Sequence, residues 1–150
     1  MDPKAEKVIE AIRNGRDVFV SPYFQLYLDH SHSLTPLSKA YNFEPVFPGL
    51  SATEAEHVLG LEAPLWTEFV PNQARLDYQT YPRLTAIAET GWSQKERKDY
   101  ADFFRRLSVL LERLDALGVK YAPWEALEPP WFKRILGVFT IARPQTQIAP

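Results

Sequence analysis

The chain has 150 residues, with 17 Lys and Arg against 19 Asp and Glu and a formal net charge of −2. This length allows one domain with a buried core, and the balanced charge excludes the basic surface that nucleic acids or anionic lipids require. Without any cysteine, the chain forms neither a disulfide nor a thiolate zinc site.

The first part of the chain predicts a helix, a tight turn and a strand. The opening residues, MDPKAEKVIEAIRNG, lack the apolar segment of a signal peptide. Asp2 and Pro3 are typical of the first positions of a helix, and Gly15 is placed to end it. The β-branched and aromatic run DVFVSP then predicts a first strand that stops at Pro22. Residues 23–50 lose periodicity and are predicted to form a long functional loop.

The middle of the chain predicts a second helix and a second strand. Ser51 and Glu54 have the spacing of a capping box, which indicates a short helix that ends at Gly60. The run LEAPLWTEF is interpreted as the second strand, although Pro64 is unusual within a central strand. The helix, tight glycine turn and strand at the start of the chain form an αβ unit, which is typical of a mostly parallel sheet. Because two parallel strands cannot bury both faces of a sheet, other strands are expected to complete it.

The remaining chain is predicted to be helical as far as Gly118. One helix is expected over residues 82–90. Ser93 and Glu96 again have the spacing of a capping box, ahead of a long amphipathic helix that Gly118 ends. The proline-rich residues 123–150 are interpreted as a tail of unknown role. Their longest apolar run, ILGVF, is too short to cross a bilayer, so we expect a soluble chain without a membrane partner, in an unknown compartment.

The stretch LYLDHSHSL, residues 26–34, allows several chemical interpretations. His30 and His32 would share one side of an extended segment, as metal ligands can, with Asp29 nearby. No further protein ligand is evident, so no metal site is predicted. A Ser-His-Asp triad is disfavoured because its three groups converge from separate elements. The histidines can equally be loop residues that form hydrogen bonds with the backbone.

A sugar site is a further interpretation, and it concerns the ends of the two predicted strands. Tyr27 and Asp29 follow the first strand, two positions apart. Trp66 and Glu68 end the second strand, also two positions apart, so each pair shares one side of an extended segment. Ligands of parallel sheets and barrels bind at this edge. An aromatic ring can pack on the apolar face of a sugar while carboxylates accept hydrogen bonds from its hydroxyls. Equally, Trp66 can be a core residue and Glu68 a solvated charge.

Several stretches resemble the C-terminal part of the catalytic domain of β-N-acetylhexosaminidases, glycoside hydrolase family 20: VFVSPYFQLYLDH, LGLEAPLWTEFV, RLDYQTYPRLTAIAETGWS and DYADFFRRL. The resemblance extends from about Ala11 to Tyr121. It implies an α/β fold, a partial (β/α)8 TIM barrel with its last two strands and flanking helices, over residues 1–122. It further implies hydrolysis of terminal N-acetylglucosamine or N-acetylgalactosamine from glycans with retention, by substrate-assisted catalysis and without a cofactor.

The same resemblance implies a role for four residues. Tyr27 would orient the substrate acetamido group, whose oxygen is the nucleophile. Asp29 and Glu68 would bind sugar hydroxyls, and Trp66 would pack against the pyranose ring. The histidines match no ligand position.

The general acid of the family belongs to an adjacent Asp-Glu pair, and this sequence contains no such dipeptide. We therefore expect a fragment that supplies part of the sugar pocket and is inactive as an isolated chain. Besides the glycan, its expected partner is a complementing barrel fragment or a second copy of itself. The alternative is a non-catalytic remnant of the barrel that binds N-acetylhexosamine or assembles with itself.

Overall fold

The structure, a computed structural model, describes residues 3–139. Within them the strands are β1 (Val18–Val20) and β2 (Val58–Leu61), and short 3-10 turns cover Thr67–Phe69 and Lys95–Arg97. The helices are α1 (Pro3–Arg13), α2 (Tyr23–Leu26), α3 (Leu37–Tyr41), α4 (Ala52–Ala55), α5 (Gln73–Thr80), α6 (Arg83–Trp92), α7 (Tyr100–Ala116), α8 (Trp124–Leu127) and α9 (Trp131–Phe139).

The two strands pair in parallel, as predicted. Val18 lies opposite Val58 and Val20 opposite Leu61, with an irregularity after Val18. The side chain of Phe19 is 61% exposed, so the described residues leave part of the apolar surface of the sheet uncovered. This helix-rich chain with two parallel strands is consistent with a partial α/β barrel.

The buried core lies between α3, α6 and α7. Helix α3 packs against α6, and α6 also contacts β2. Leu26 and Leu28, which follow β1, belong to this core, as do Ala122 and Leu127 near the C-terminal end of the described residues. The side chains that α7 contributes recur every three or four positions, as one face of a helix requires: Phe103, Leu107, Leu111 and Leu114.

Local end signals predicted several elements correctly. Gly15 and Gly118 both have a φ of +73°, the left-handed conformation that ends a helix. The capping box is present, because the Ser51 side chain accepts from the Glu54 N–H and the Glu54 carboxylate accepts from the Ser51 N–H. The first helix, the first strand and the helix over residues 82–90 are likewise confirmed.

The second strand, however, lies earlier than the run LEAPLWTEF. Helix α4 ends at Ala55, and Gly60 lies inside β2 rather than at the end of a helix. Pro64 has no N–H to donate to a strand ladder, and its carbonyl accepts instead from the N–H of Leu28 (2.8 Å). The glycine that resembled a helix end is therefore part of the sheet.

Two further predictions are wrong. Residues 23–50 are not one continuous loop, since they contain α2 and α3. The pair Ser93 and Glu96 does not cap the long helix. Helix α7 follows Asp99, whose side chain accepts from the N–H of Asp102 (3.1 Å).

The C-terminal segment contains α8 and α9. The Glu128 carboxylate accepts from the N–H and hydroxyl of Ser38 and from the hydroxyl of Tyr100 (2.6 Å), and Arg134 donates to it (2.6 Å). These bonds attach the start of the segment to α3 and α7. The division of the chain after residue 122 stays a prediction. Among the helices within residues 3–139, none has both the length and the apolar character needed to span a membrane.

Candidate functional site

Two loops at one edge of the sheet contain the predicted site residues. The β1 loop, residues 21–36, follows β1 and includes α2. The β2 loop, residues 62–72, follows β2 and includes the turn Thr67–Phe69. A backbone hydrogen bond joins the loops: the Leu28 N–H donates to the Pro64 carbonyl (2.8 Å). Because β1 and β2 are parallel, both loops leave the sheet at its carboxyl edge, where ligands of such sheets bind.

The sequence suggested that Tyr27 lies directly past β1, but helix α2 separates the two. The Pro22 carbonyl accepts from the N–H groups of Gln25 and Leu26, which closes the helical turn α2 between the strand and Tyr27. Tyr27 then resumes an extended conformation, with φ −72° and ψ 123°.

Burial alternates along the chain after α2. Leu26 and Leu28 are 0% and 3% exposed and belong to the core. Tyr27 and Asp29 are only partly buried. The core therefore fixes the leucines, and Tyr27 and Asp29 lie away from it. Leu28 and Asp29 lie in a turn, so the expectation that Tyr27 and Asp29 share one side of an extended segment is not confirmed.

The corner between α5 and α6 holds the β1 loop by buried polar contacts. Arg83 is 0% exposed, and its guanidinium donates to the carbonyls of Leu28, Gln79 (2.8 Å) and Thr35 (3.4 Å). The Gln79 side-chain amide donates to the Asp29 carbonyl (2.9 Å). Burial lowers the pKa of Arg83 to about 9, so the group is still a cation at neutral pH. These contacts connect segments about fifty residues apart in the sequence.

Asp29 retains an unused acceptor. Its Oδ1 atom is buried and has no hydrogen-bond partner among residues 3–139. Buried polar atoms are nearly always satisfied in folded proteins, so an unsatisfied one requires an explanation. The nearby cation of Arg83 attracts the Asp29 charge.

Aromatic rings surround Tyr27 on the β1 loop. The ring centroid of Tyr23 lies 5.0 Å from that of Tyr27 and 4.4 Å from that of His30, both in edge-to-face contact. Such contacts restrict the orientation of the rings. Burial lowers the pKa of His30, so the imidazole favours its neutral form.

His32 is a structural residue. It is 4% exposed, and its Nε2 lies 3.1 Å from the Tyr78 carbonyl, to which the ring donates. Burial, reinforced by the Arg83 cation, lowers the pKa of His32 to about 3. The interpretation as a loop histidine bonded to the backbone is thus confirmed for His32. No group of three or more potential ligands that could hold a metal occurs within residues 3–139.

The β2 loop is more exposed than the β1 loop. Trp66 is 63% exposed, so its interpretation as a core residue is wrong. It is extended (φ −86°, ψ 127°) and immediately precedes the turn that contains Glu68. Glu68 is exposed. Because Glu68 lies in a 3-10 turn, the expectation that it and Trp66 share one side of a strand is also wrong.

The structure thus brings the two loops together and leaves the roles of the four residues as predictions. A phenol and a carboxylate come from one loop, and an indole and a carboxylate come from the next. Sequence reasoning missed Arg83 and Gln79. The sequence signal for Arg83 was a cation at the start of the apolar stretch RLTAIA, because a buried charge must find hydrogen-bond partners.

Known proteins that are similar to this chain belong to one family of enzymes. The family described as glycosyl hydrolase family 20, catalytic domain, matches residues 2–95. A β-hexosaminidase of Porphyromonas gingivalis is 38% identical over 125 residues, which cover 75% of this chain and 16% of that protein.

Solved structures give the same result. A family 20 exo-β-N-acetylglucosaminidase from Vibrio harveyi, in complex with N-acetylglucosamine, is 34% identical with a TM-score of 0.71, covering 79% of this chain and 21% of that one. A family 20 β-N-acetylhexosaminidase from Streptomyces coelicolor is 31% identical with a TM-score of 0.72, covering 83% and 28%. The chain therefore spans less than a third of the length of each of these relatives.

Proposed function

The chain belongs to glycosyl hydrolase family 20, and we propose that it forms the last two strands and flanking helices of a family 20 barrel. In this role it supplies part of the pocket that binds a terminal N-acetylglucosamine or N-acetylgalactosamine residue. The parent reaction is hydrolysis of the glycosidic bond with retention, in which the acetamido oxygen of the substrate attacks the anomeric carbon.

The observation that carries the proposal is the junction of the two loops. The bond between the Leu28 N–H and the Pro64 carbonyl (2.8 Å) joins them at the carboxyl edge of the sheet. Tyr27 and Asp29 follow Leu26 and flank Leu28 in one loop, and Trp66 follows Pro64 closely in the other. Substrates of α/β barrels bind at this edge.

Each of the four side chains has chemistry that fits an N-acetylhexosamine. The Tyr27 hydroxyl would donate to the acetamido oxygen and hold it in line with the anomeric carbon, and such orientation lowers the barrier by replacing random encounter. Trp66 offers an exposed indole for the apolar face of the pyranose. Asp29 and Glu68 would accept hydrogen bonds from hydroxyls.

Proton transfer to the leaving oxygen would come from outside this chain. No Asp-Glu dipeptide occurs in the sequence, and without a general acid the leaving group would depart as an unstable alkoxide. We therefore propose that the isolated chain is inactive and that a complementing part of the barrel, or a second copy of this chain, covers its sheet. The exposed apolar side chains Phe19 (61%) and Leu59 (54%) on the strands support this pairing.

A non-catalytic N-acetylhexosamine-binding module is the second candidate. The observation that favours it is the support of the β1 loop by Arg83 and Gln79 of this same chain. Half of the pocket would then exist without the rest of the barrel.

Two measurements test the proposal on the purified chain. A chromogenic β-N-acetylglucosaminide should not be hydrolysed, and turnover by homogeneous material would contradict the assignment of the general acid to another segment. A titration should show binding of N-acetylglucosamine in the millimolar range, about −4 kcal/mol, and weaker binding of glucose, which lacks the acetamido group. In Tyr27→Phe the two sugars should bind alike. A chain that binds both sugars equally would contradict the proposed role of Tyr27.

A further inference from the structure

We propose that Gln79 and Arg83 are positioning residues that set the orientation of the Tyr27 and Asp29 side chains toward the sugar. The inference rests on the proposed function and extends it to a part of the chain that touches no substrate.

The backbone they hold is a turn. Leu28 and Asp29 form a hydrogen-bonded turn directly after Tyr27. In an extended strand successive carbonyls point to opposite sides. Here the carbonyls of both residues accept from the same corner of the molecule, from Arg83 and Gln79 respectively. Two donors from one side therefore fix the bend that separates Tyr27 from Asp29.

Arg83 also bonds to the C-terminal end of the β1 loop. Its guanidinium donates to the Thr35 carbonyl (3.4 Å) as well as to Leu28, and Thr35 in turn donates from its hydroxyl to the Phe24 carbonyl (3.0 Å). These acceptors lie on both sides of Asp29 in the sequence. A planar group with five N–H donors suits such a set of carbonyls, which a single ammonium would satisfy less well.

Burial of the Arg83 cation between α5 and α6 costs more free energy than packing alone would require. Arg83 is 0% exposed, and its hydrogen bonds go to carbonyls alone, although the Asp29 charge lies near enough to attract it. Burying a cation is unfavourable unless its donors are needed, and an apolar side chain would fill the same space at lower cost. Two of its hydrogen bonds go to the β1 loop, at Leu28 and Thr35, and the third goes to Gln79 in α5, whereas Nε has no hydrogen-bond partner among residues 3–139. Specific loop geometry is what the buried charge provides.

Gln79→Met is the most informative variant. Methionine keeps the length of the side chain and removes the donor to the Asp29 carbonyl. We expect the Kd for N-acetylglucosamine to rise about threefold to tenfold, the change that loss of one typical hydrogen bond produces. The preference for N-acetylglucosamine over glucose should fall with it, because Tyr27 and Asp29 lose their relative orientation.

Thr90→Val is the matched control. Thr90 lies on α6, is 3% exposed, and donates from its hydroxyl to the Tyr41 carbonyl (2.8 Å). The substitution therefore also removes one buried bond from a side chain to a backbone carbonyl, but at the C-terminal end of α3 and away from the β1 loop. It should lower the melting temperature about as much as Gln79→Met and leave the Kd unchanged.

Arg83→Lys provides a second, independent readout if Arg83→Met fails to fold. Lysine keeps the charge and can still reach one carbonyl, so N-acetylglucosamine should bind more weakly than to the native chain. A Kd equal to the native value in both Gln79→Met and Arg83→Lys, with the native chain binding normally, would overturn the positioning role alone. A native chain that binds no N-acetylglucosamine would overturn the proposed function and this role with it.

Discussion

The β1 loop and the β2 loop meet at one edge of the sheet, yet they are supported very differently. The β1 loop has Leu26 and Leu28 in the core and receives donors from Arg83 and Gln79. The β2 loop presents Trp66 at 63% exposure. One half of the proposed pocket is thus built on the chain's own core, whereas the other half depends on whatever packs beside it.

The largest expected effect comes from removing the buried cation beneath the β1 loop. In Arg83→Met the carbonyls of Leu28, Thr35 and Gln79 lose their donor, and we expect the free energy of unfolding to fall by about 3–5 kcal/mol. Urea denaturation measures the loss. Arg105→Met is the control, because Arg105 is exposed and pairs with Asp102 on the surface of α7. Its cost should be under about 1 kcal/mol. Equal losses in both variants would contradict the support of the β1 loop by the buried Arg83.

The second prediction uses His32, a titrating group of the β1 loop. Burial lowers its pKa in the folded chain to about 3 from the ordinary value of 6.5. The unfolded chain therefore binds a proton below about pH 6.5 while the folded chain does not, and acid favours unfolding. The free energy of unfolding should have its full value above about pH 6.5. Below that pH it should fall by up to about 1.4 kcal/mol per pH unit, until the pH reaches the pKa of His32 in the folded chain, about 3.

His32→Gln separates this contribution from other acid effects. The glutamine amide can donate to the Tyr78 carbonyl but does not titrate, so the dependence of unfolding free energy on pH should become flatter. His57→Gln is the control, since His57 is only partly buried and pairs with Asp17 (2.7 Å) outside the β1 loop. A pH profile of His32→Gln that matches the native profile would contradict a buried neutral imidazole.

The third prediction compares one leucine from each loop. Leu28 is 3% exposed, whereas Leu65 is only partly buried. We expect Leu28→Ala to cost about 3 kcal/mol, as cavities in packed cores do, and Leu65→Ala to cost about 1 kcal/mol. Thermal and urea unfolding of the two variants measures the difference. A larger cost for Leu65→Ala would show that the β2 loop is the better supported of the two.

The smallest effect on stability is expected at Trp66, where the effect on binding should be large. Because the indole is 63% exposed, Trp66→Ala should change the free energy of unfolding by less than about 1 kcal/mol. Loss of the ring that packs on the sugar should weaken N-acetylglucosamine binding about tenfold or more. Trp92→Ala is the matched control, because Trp92 is 92% exposed and lies on α6. Equal binding by the two variants would exclude Trp66 from the pocket.

Local signals predicted much of the fold. The capping box at Ser51 and Glu54 and the glycines at 15 and 118 depend on neighbours within a few residues, and the structure confirms them. Short helices were missed, since α2 and α3 have four and five residues and show no periodicity. At the start of α7 two overlapping cap signals competed, and Asp99 rather than Ser93 accepts the helix N–H.

The site was predictable only in part. The resemblance identified Tyr27, Asp29, Trp66 and Glu68, and the structure places their loops side by side. The support of the β1 loop could not be predicted, because Arg83 bonds to Leu28 across fifty-five positions of sequence and no local pattern encodes such a contact. The position of the second strand in the sequence was predicted wrongly for a similar reason. The run LEAPLWTEF has the apolar composition of a strand, but β2 occupies Val58–Leu61 and the Pro64 carbonyl bonds to the other loop.

NMR mapping of the native chain would show whether N-acetylhexosamine binds where the two loops meet. The native chain, labelled with ¹⁵N, would be titrated with N-acetylglucosamine while backbone amide and indole shifts are followed. We predict that the largest changes occur at residues 27–29 and 66–68, including the Trp66 indole, and that they follow one saturating curve. Absence of any shift, or changes confined to residues far from both loops, would show that N-acetylglucosamine does not bind where the loops meet.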